Sequence, residues 1–254
     1  MFFGGVYEET AGILPVLDDL GEAFRSGGGV PSAAYGERFW NGLERFTGTW
    51  YNHLLIPVWL AEMPAVLDKL EAGADVADVG CGHGKALITL ATEFPAGRYL
   101  GYDVHAPAVE RARAAAEQAG VADRVRFEHR DAADGLPAGV HDVVLTCEVL
   151  HDAADPGGLL RSIRETLRPD GRYVCVDINA SHRPEDNTGP LAALFYGFSV
   201  LYCMTTSLAQ NGAALGTCGF DPYTAERLCR QAGFSQVRRL PLDNPFNNVY
   251  EIIP

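Results

Sequence analysis

Residues 75–90 read DVADVGCGHGKALITL, a β-branched run that ends in alternate glycines and passes at once into a helical pattern. The expected local structure is a strand over Asp75–Val79, a turn through Gly80, Cys81, Gly82, His83 and Gly84, and a helix from Lys85 to Phe94. Glycine permits the tight turn and lets a ligand approach the backbone just ahead of a helix N-terminus. The pattern is DxGxGxG. Lys85 stands where a GxGxxG dinucleotide fingerprint needs its third glycine, which counts against a dehydrogenase.

Downstream, short apolar runs alternate with helical patterns, the signature of βαβ units building a parallel sheet. Further strands are expected at Arg98–Asp103, Val125–His129, Asp142–Thr146, Arg172–Asp177, Gln236–Leu240 and Asn248–Ile253. Helices are expected at Pro107–Ala119, Pro156–Leu167 and Thr224–Ala232, with a Pro169-Asp170-Gly171 turn before the fifth strand. Only the Pro241–Asn247 loop separates the last two strands, too short for a crossover helix, so they should pair antiparallel. The expected fold class is α/β, a doubly wound, mostly parallel seven-stranded sheet with one reversed strand. Residues 1–70 form an N-terminal helical segment interrupted at Gly27-Gly28-Gly29, and residues 71–254 form the main domain, with residues 178–220 inserted as a lid.

At 254 residues, 47% hydrophobic and 21% charged, the chain can bury a full core. A net charge of -13 without a basic cluster argues against a nucleic-acid partner. The six cysteines form no CxxC pair, which suits a reducing cytoplasm. The opening MFFGGVYEE has no basic flank and does not read as a secretory signal. Asn187 to Phe220 carries no charge and is long enough to span a bilayer, yet polar residues and glycines interrupt it. It reads as a buried lid or subunit contact, with no membrane partner.

Three strand tips present acids. Asp78 is placed to meet an ammonium group, directly or through water. Asp103, 23 residues after Gly80 and next to Val104, can accept hydrogen bonds from ribose hydroxyls or serve as a turn cap. Asp131, before Ala132, can receive the exocyclic amine of adenine or act as a solvated turn residue. The constellation is more specific than any member. After the fourth strand come Cys147, Glu148, Val149, Leu150, His151 and Asp152, and a helical turn there would gather Glu148, His151 and Asp152. His151 reads as a general base, a metal ligand or a neutral loop support. Arg38, beside Tyr35 and Phe39, reads as a partner for a substrate carboxylate or as a surface arginine. His53 reads as core or pocket wall, and His182 as reaching either solvent or the site.

Together these motifs resemble the class I S-adenosylmethionine-dependent methyltransferases over residues 70–254. The resemblance implies S-adenosylmethionine held by Asp78, Gly80, Cys81, Gly82, Gly84, Asp103, Val104, Asp131, Ala132, Cys147 and Glu148. It also implies a small-molecule acceptor near His151, Asp152 and Arg38. The stretches GGGVP, DVGCGHGKAL, CEVLHD, LRPDGRYVCVDI and LYCMTTSLAQNGAALGT are similar to a bacterial group labelled methyltransferase or transcriptional regulator, which carries a winged-helix module upstream. The chain begins after that module would end, so DNA binding is not implied, while the N-terminal helices are expected to mediate a homodimer. The sequence also resembles α-keto acid C-methyltransferases, which hold a keto acid through a divalent or ferric metal ion on histidines. His151 matches one such ligand, and Tyr202 stands where the second would fall.

The leading expectation is thus methyl transfer to a small acceptor, with an α-keto acid as one candidate. The alternative is a cofactor-binding regulatory protein that keeps the fold without turnover.

Overall fold

The computed structural model describes residues 3–254, so Met1 and Phe2 of the expected N-terminal segment lie outside the described residues. Seven strands form one sheet: β1 Asp75–Val79, β2 Arg98–Asp103, β3 Val125–His129, β4 His141–Cys147, β5 Leu167–Ile178, β6 Gln236–Arg239 and β7 Asn247–Ile253. Their order is β3-β2-β1-β4-β5-β7-β6. Strands β1 to β5 pair in parallel, and β7 runs antiparallel to both β5 and β6, as the short loop before it required.

The helices are α1 Gly4–Ile13, α2 Leu17–Ser26, α3 Glu37–Trp50, α4 Pro64–Glu71, α5 Lys85–Glu93, α6 Ala106–Gln118, α7 Pro156–Thr166, α8 Gly189–Phe198, α9 Met204–Leu208 and α10 Pro222–Gln231. Alternation along each strand sends successive side chains to opposite faces of the sheet, so one sequence builds two cores. On one face Val76, Val125, Val143 and Val174 meet Val66 and Leu70 of α4, Leu87 and Leu90 of α5, and Val109 of α6. On the other, Ala77, Val144, Tyr173 and Tyr250 meet Leu159, Leu160 and Ile163 of α7, and Ala225 and Cys229 of α10. Each such large side chain contributes about 1.5–3 kcal/mol by leaving water.

The Pro169-Asp170-Gly171 turn does not precede β5 but lies within it. Pairing with β4 jumps from His141–Leu167 to Val143–Arg172, leaving a bulge between. Arg168 holds that bulge to the sheet, with its guanidinium on Asp142 and 2.8 Å from Asp75. Helix α10 starts two residues earlier than expected because the Asp221 carboxylate caps it, accepting from the Tyr223 and Thr224 N–H groups.

The N-terminal helices close one end of the sheet. Gly5 and Gly12 of α1 face α3 at a crossing so tight that a Cβ on either would overlap the backbone of Phe46 or Phe39, and a Cβ on Gly42 would overlap Glu9. Glu9 lies on the same face as these glycines and is buried with Val6 and Ile13. Beyond Trp50 the helix continues as a wider π-helical segment, Tyr51–Trp59, containing Pro57. The changed period turns His53 out to solvent, against the expectation that it joins the core, while Tyr51 faces inward. A π-turn at Ser199–Cys203 likewise joins α8 to α9. Gly189–Leu208 is long and apolar enough to cross a membrane by length and composition, and a third of its apolar window is buried.

Candidate active site

The strand order reverses between β1 and β4, and in open α/β sheets a crevice forms beyond the strand tips at that point. A cavity of about 350 Å³ occupies this place. Its floor is the loop after β1. Gly80 has a φ of 75° and Gly82 of 51°, in the left-handed region that glycine adopts freely. A Cβ on Gly82 would meet nothing within 4 Å, so the backbone there faces open space suited to a close ligand.

Asp103, at the tip of β2, organises the loop. One carboxylate oxygen accepts from the Gly82 N–H at 2.8 Å and the other from the His105 N–H at 2.8 Å. His105 in turn stacks on Trp40 of α3, with ring centroids 4.3 Å apart. Asp131, at the tip of β3, is exposed and caps the Ala133 N–H at 2.9 Å. Gly80, Cys81, Gly82, Asp103, Val104, Asp131, Ala132, Cys147, Glu148, His151 and Asp152 all line the one cavity.

Three expected site residues do not line it. Asp78 is buried in β1, its carboxyl pushed up to about 7 by burial and by the nearby Asp103 charge. Gly84 packs against Phe127, where a Cβ would overlap the ring. Arg38 is exposed, because α3 turns Phe39, Gly42, Phe46 and Trp50 inward and leaves Arg38 off that face. His182 sits on the surface beside Tyr223.

His151 is the best-defined titratable group. It is 3% exposed, and its Nδ1 lies 2.6 Å from the Asp177 carboxylate at the C-terminal end of β5. The same Asp177 oxygen accepts the Ile178 N–H at 2.8 Å, which locks the carboxylate in place. The other ring nitrogen, Nε2, is 3.2 Å from Asp152 Oδ1, and that oxygen has no hydrogen-bond partner. Burial opposes a charged imidazole here, but Asp177 and Asp152 outweigh it and raise the His151 pKa. Nδ1 is therefore committed to Asp177, while Nε2 faces Asp152 in the lining of the cavity.

Glu148 carries the positive backbone φ of 58°, rare for a non-glycine residue. Its N–H donates to Val176 at 2.8 Å and its carboxylate accepts from Asn247 Nδ2 at 2.7 Å, so neighbours on β5 and β7 enforce the conformation. Burial pushes its carboxyl up to about 8.

Sequence reasoning passed over two contributors. The sequence pattern marks Asp177 only as the end of a strand, although it is a third acid at a strand tip, after Asp103 and Asp131. Glu9, 5% exposed in α1, lines the cavity with its carboxyl pushed up to about 8 by burial and by Glu148 and Asp152. Its signal was a lone acid on a face otherwise made of glycine and apolar residues.

Against known proteins, residues 70–205 match a family model described as a methyltransferase domain. The chain is 38% identical over 171 residues to the 27-O-demethylrifamycin SV methyltransferase of Amycolatopsis mediterranei, covering 66% of this chain and 61% of that one. It is 35% identical over 179 residues to the nocamycin O-methyltransferase of Saccharothrix syringae, covering 67% and 62%. The chain thus spans about three fifths of the length of these two relatives. A solved structure of mitomycin 7-O-methyltransferase shares the fold, with a TM-score of 0.67 over 94% of this chain and 67% of that one at 21% identity. With a family model over more than half its length, the glycine loop at the β1 tip and the acids at the tips of β2 and β3, this chain belongs to the class I S-adenosylmethionine-dependent methyltransferases.

Proposed function

We propose that the chain transfers the methyl group of S-adenosylmethionine to a hydroxyl of a small molecule, with His151 as the general base and Asp177 as its positioning residue. The observation that carries this reading is the buried Nδ1 contact to Asp177 on a histidine that lines the cavity, with Nε2 on its other side 3.2 Å from Asp152. The donor supplies a methyl on sulfonium sulfur, already set to leave. The Gly80–Gly84 loop and Asp103 hold the donor, while His151 Nε2 takes the hydroxyl proton as the oxygen bonds to the methyl carbon. The carbon–sulfur electron pair stays on sulfur, giving S-adenosylhomocysteine. Holding the two reactants in line supplies most of the acceleration, and proton removal adds about 10²–10⁴-fold. The two relatives named for O-methylation of small molecules support an oxygen acceptor. Segment 178–220 acts as the lid that selects it, since Phe198, Tyr202 and Cys203 line the cavity. The exposed Tyr7, Leu14, Leu17 and Phe24 of the N-terminal segment support a homodimer.

The test is calorimetric binding of S-adenosylhomocysteine, followed by labelled methyl transfer to a panel of phenols and alcohols. Binding with labelled ether formation supports the proposal. No binding overturns the methyltransferase reading, and binding without turnover on any hydroxyl acceptor favours a regulatory protein.

A second reading keeps a metal and an α-keto acid acceptor, favoured by one observation. His151, Asp152 and Cys203 each bring a ligand atom within 4.8 Å of the others. The set suits a divalent ion with an open position, because Asp152 Oδ1 accepts no hydrogen bond and faces His151 Nε2 at 3.2 Å, and Asp177 fixes the His151 ring. Cys203 supplies sulfur beside Tyr202, although burial pushes its thiol up to about 12, so it would release a proton on binding. A bound ion would hold the keto acid and stabilise its enolate. Stoichiometric metal in purified protein, lost in His151→Ala and accompanied by labelled phenylpyruvate product, would select this reading over the first.

A further inference from the structure

Part of the lining of the cavity that holds His151 is built from two kinds of wall. Phe46, Trp50, Phe195 and Phe246 line it as a connected aromatic group, with Phe46 and Trp50 4.9 Å apart, Phe46 and Phe246 6.1 Å apart, and Phe195 and Phe246 5.9 Å apart. Among them stand two carboxyls from separate parts of the chain, Glu9 of α1 and Glu148 after β4. Phe246 adjoins Asn247, whose side chain holds Glu148 at 2.7 Å.

Glu9 carries no hydrogen bond or ion pair among the described residues, although only 5% of it is exposed. The groups acting on it are further carboxyls, Glu148 and Asp152. A largely buried carboxyl without a partner is costly, and the tight glycine crossing of α1 on α3 sets Glu9 into the cavity lining, where a ligand can supply that partner. Carboxylates within an aromatic wall are the donor set that recognises an alkylammonium. The aromatic faces attract the cation, and the carboxylates accept its N–H bonds.

We propose that the acceptor carries a basic amine as well as the reacting hydroxyl, and that its ammonium docks against the aromatic wall between Glu9 and Glu148. The inference rests on the hydroxyl-acceptor reading above and names the class of molecule that site takes. Burial, with neighbouring carboxyls, pushes both groups up to about 8, and an ammonium between them would offset their charge. The donor molecule also carries cationic groups, so the experiment separates the two sources.

Wild-type protein saturated with S-adenosylhomocysteine is titrated calorimetrically with tyramine and with 4-propylphenol, which share a phenol and a chain length and differ in the terminal ammonium. Tyramine is expected to bind at least about tenfold more tightly. Glu9→Gln is expected to erase most of that preference while leaving affinity for S-adenosylhomocysteine unchanged. Equal or tighter binding of 4-propylphenol, or no binding of tyramine at millimolar concentration, overturns the proposal. So does a loss of S-adenosylhomocysteine affinity in Glu9→Gln, which would assign the carboxyls to the donor. The wild-type comparison decides the matter even if Glu9→Gln does not fold. A wild-type protein that does not bind S-adenosylhomocysteine would instead overturn the methyltransferase reading beneath it.

Discussion

His151 Nδ1 lies 2.6 Å from Asp177 Oδ1, joining the loop after β4 to the tip of β5 across the interior of the site. The contact fixes the ring by a charged partner that no solvent reaches. Asp177→Asn preserves the shape and removes the charge, so the ring loses both its preferred tautomer and the stabilisation of its imidazolium. Turnover should fall about 10²–10⁴-fold while S-adenosylhomocysteine binding is kept. Labelled methyl transfer and calorimetry on the same preparation check both. A purely structural Asp177 would instead lower binding and thermal stability together.

The pH dependence follows from the same residues. Burial disfavours the charged ring, but Asp177 and Asp152 outweigh it, so His151 keeps its proton above the ordinary imidazole value of 6.5. A base must first be unprotonated, and kcat/KM should therefore rise with pH through a value above 6.5. Asp152→Asn removes one of the charges holding the proton and should move that rise to lower pH. A pH profile of both proteins decides it, and an unshifted limb would rule out His151 as the titrating base.

Gly80→Ala places a Cβ at a φ of 75° and onto the Val149 side chain. The loop can relieve this only by shifting, which disturbs the cavity floor that Gly80 and Val149 line. A stability loss of about 1–3 kcal/mol is expected, with at least about tenfold weaker S-adenosylhomocysteine binding. Chemical denaturation and calorimetry give the two numbers.

Gly42→Ala tests the helix crossing that carries Glu9 into the cavity. The added methyl would overlap the Glu9 backbone, forcing α1 away from α3. The cost should be about 2 kcal/mol or more, read as a lowered denaturation midpoint. Gly48→Ala on the same helix meets only the Glu44 side chain at 3.9 Å and should be nearly neutral.

Arg168 ties the bulge in β5 to Asp75 and Asp142 at the end of the sheet remote from the site. Its charge is a third exposed, so Arg168→Ala should cost only about 1 kcal/mol near neutral pH. Hydrogen bonds from Arg98 first, and from Arg168, hold the Asp75 carboxyl below its usual range. That contribution is present above the unfolded carboxyl pKa and disappears as pH falls through the folded one. The gap between wild type and variant should therefore close in acid, a trend that denaturation at several pH values would show or refute.

The sequence by itself determined the sheet, its strand sequence and its reversed last strand, because apolar period and loop length are local properties. It also placed the glycine loop and the acids at the tips of β2 and β3, since each residue sits at a chain position that the βα pattern identifies, whereas Asp78 lies buried within β1. Only the tertiary structure decided what converges. Asp177 meets His151 because β4 and β5 are neighbours, and Glu9 reaches the cavity because three glycines let α1 press against α3. Arg38 misses it because the inward face of α3 is set by Phe39, Phe46 and Trp50. The π-helical turn reversed the expectation for His53, since a change of helical period moves every later side chain and leaves no mark in composition. Strand tips are encoded locally. The partners of a buried charge depend on which distant segments pack against it, and that is a property of the folded chain alone.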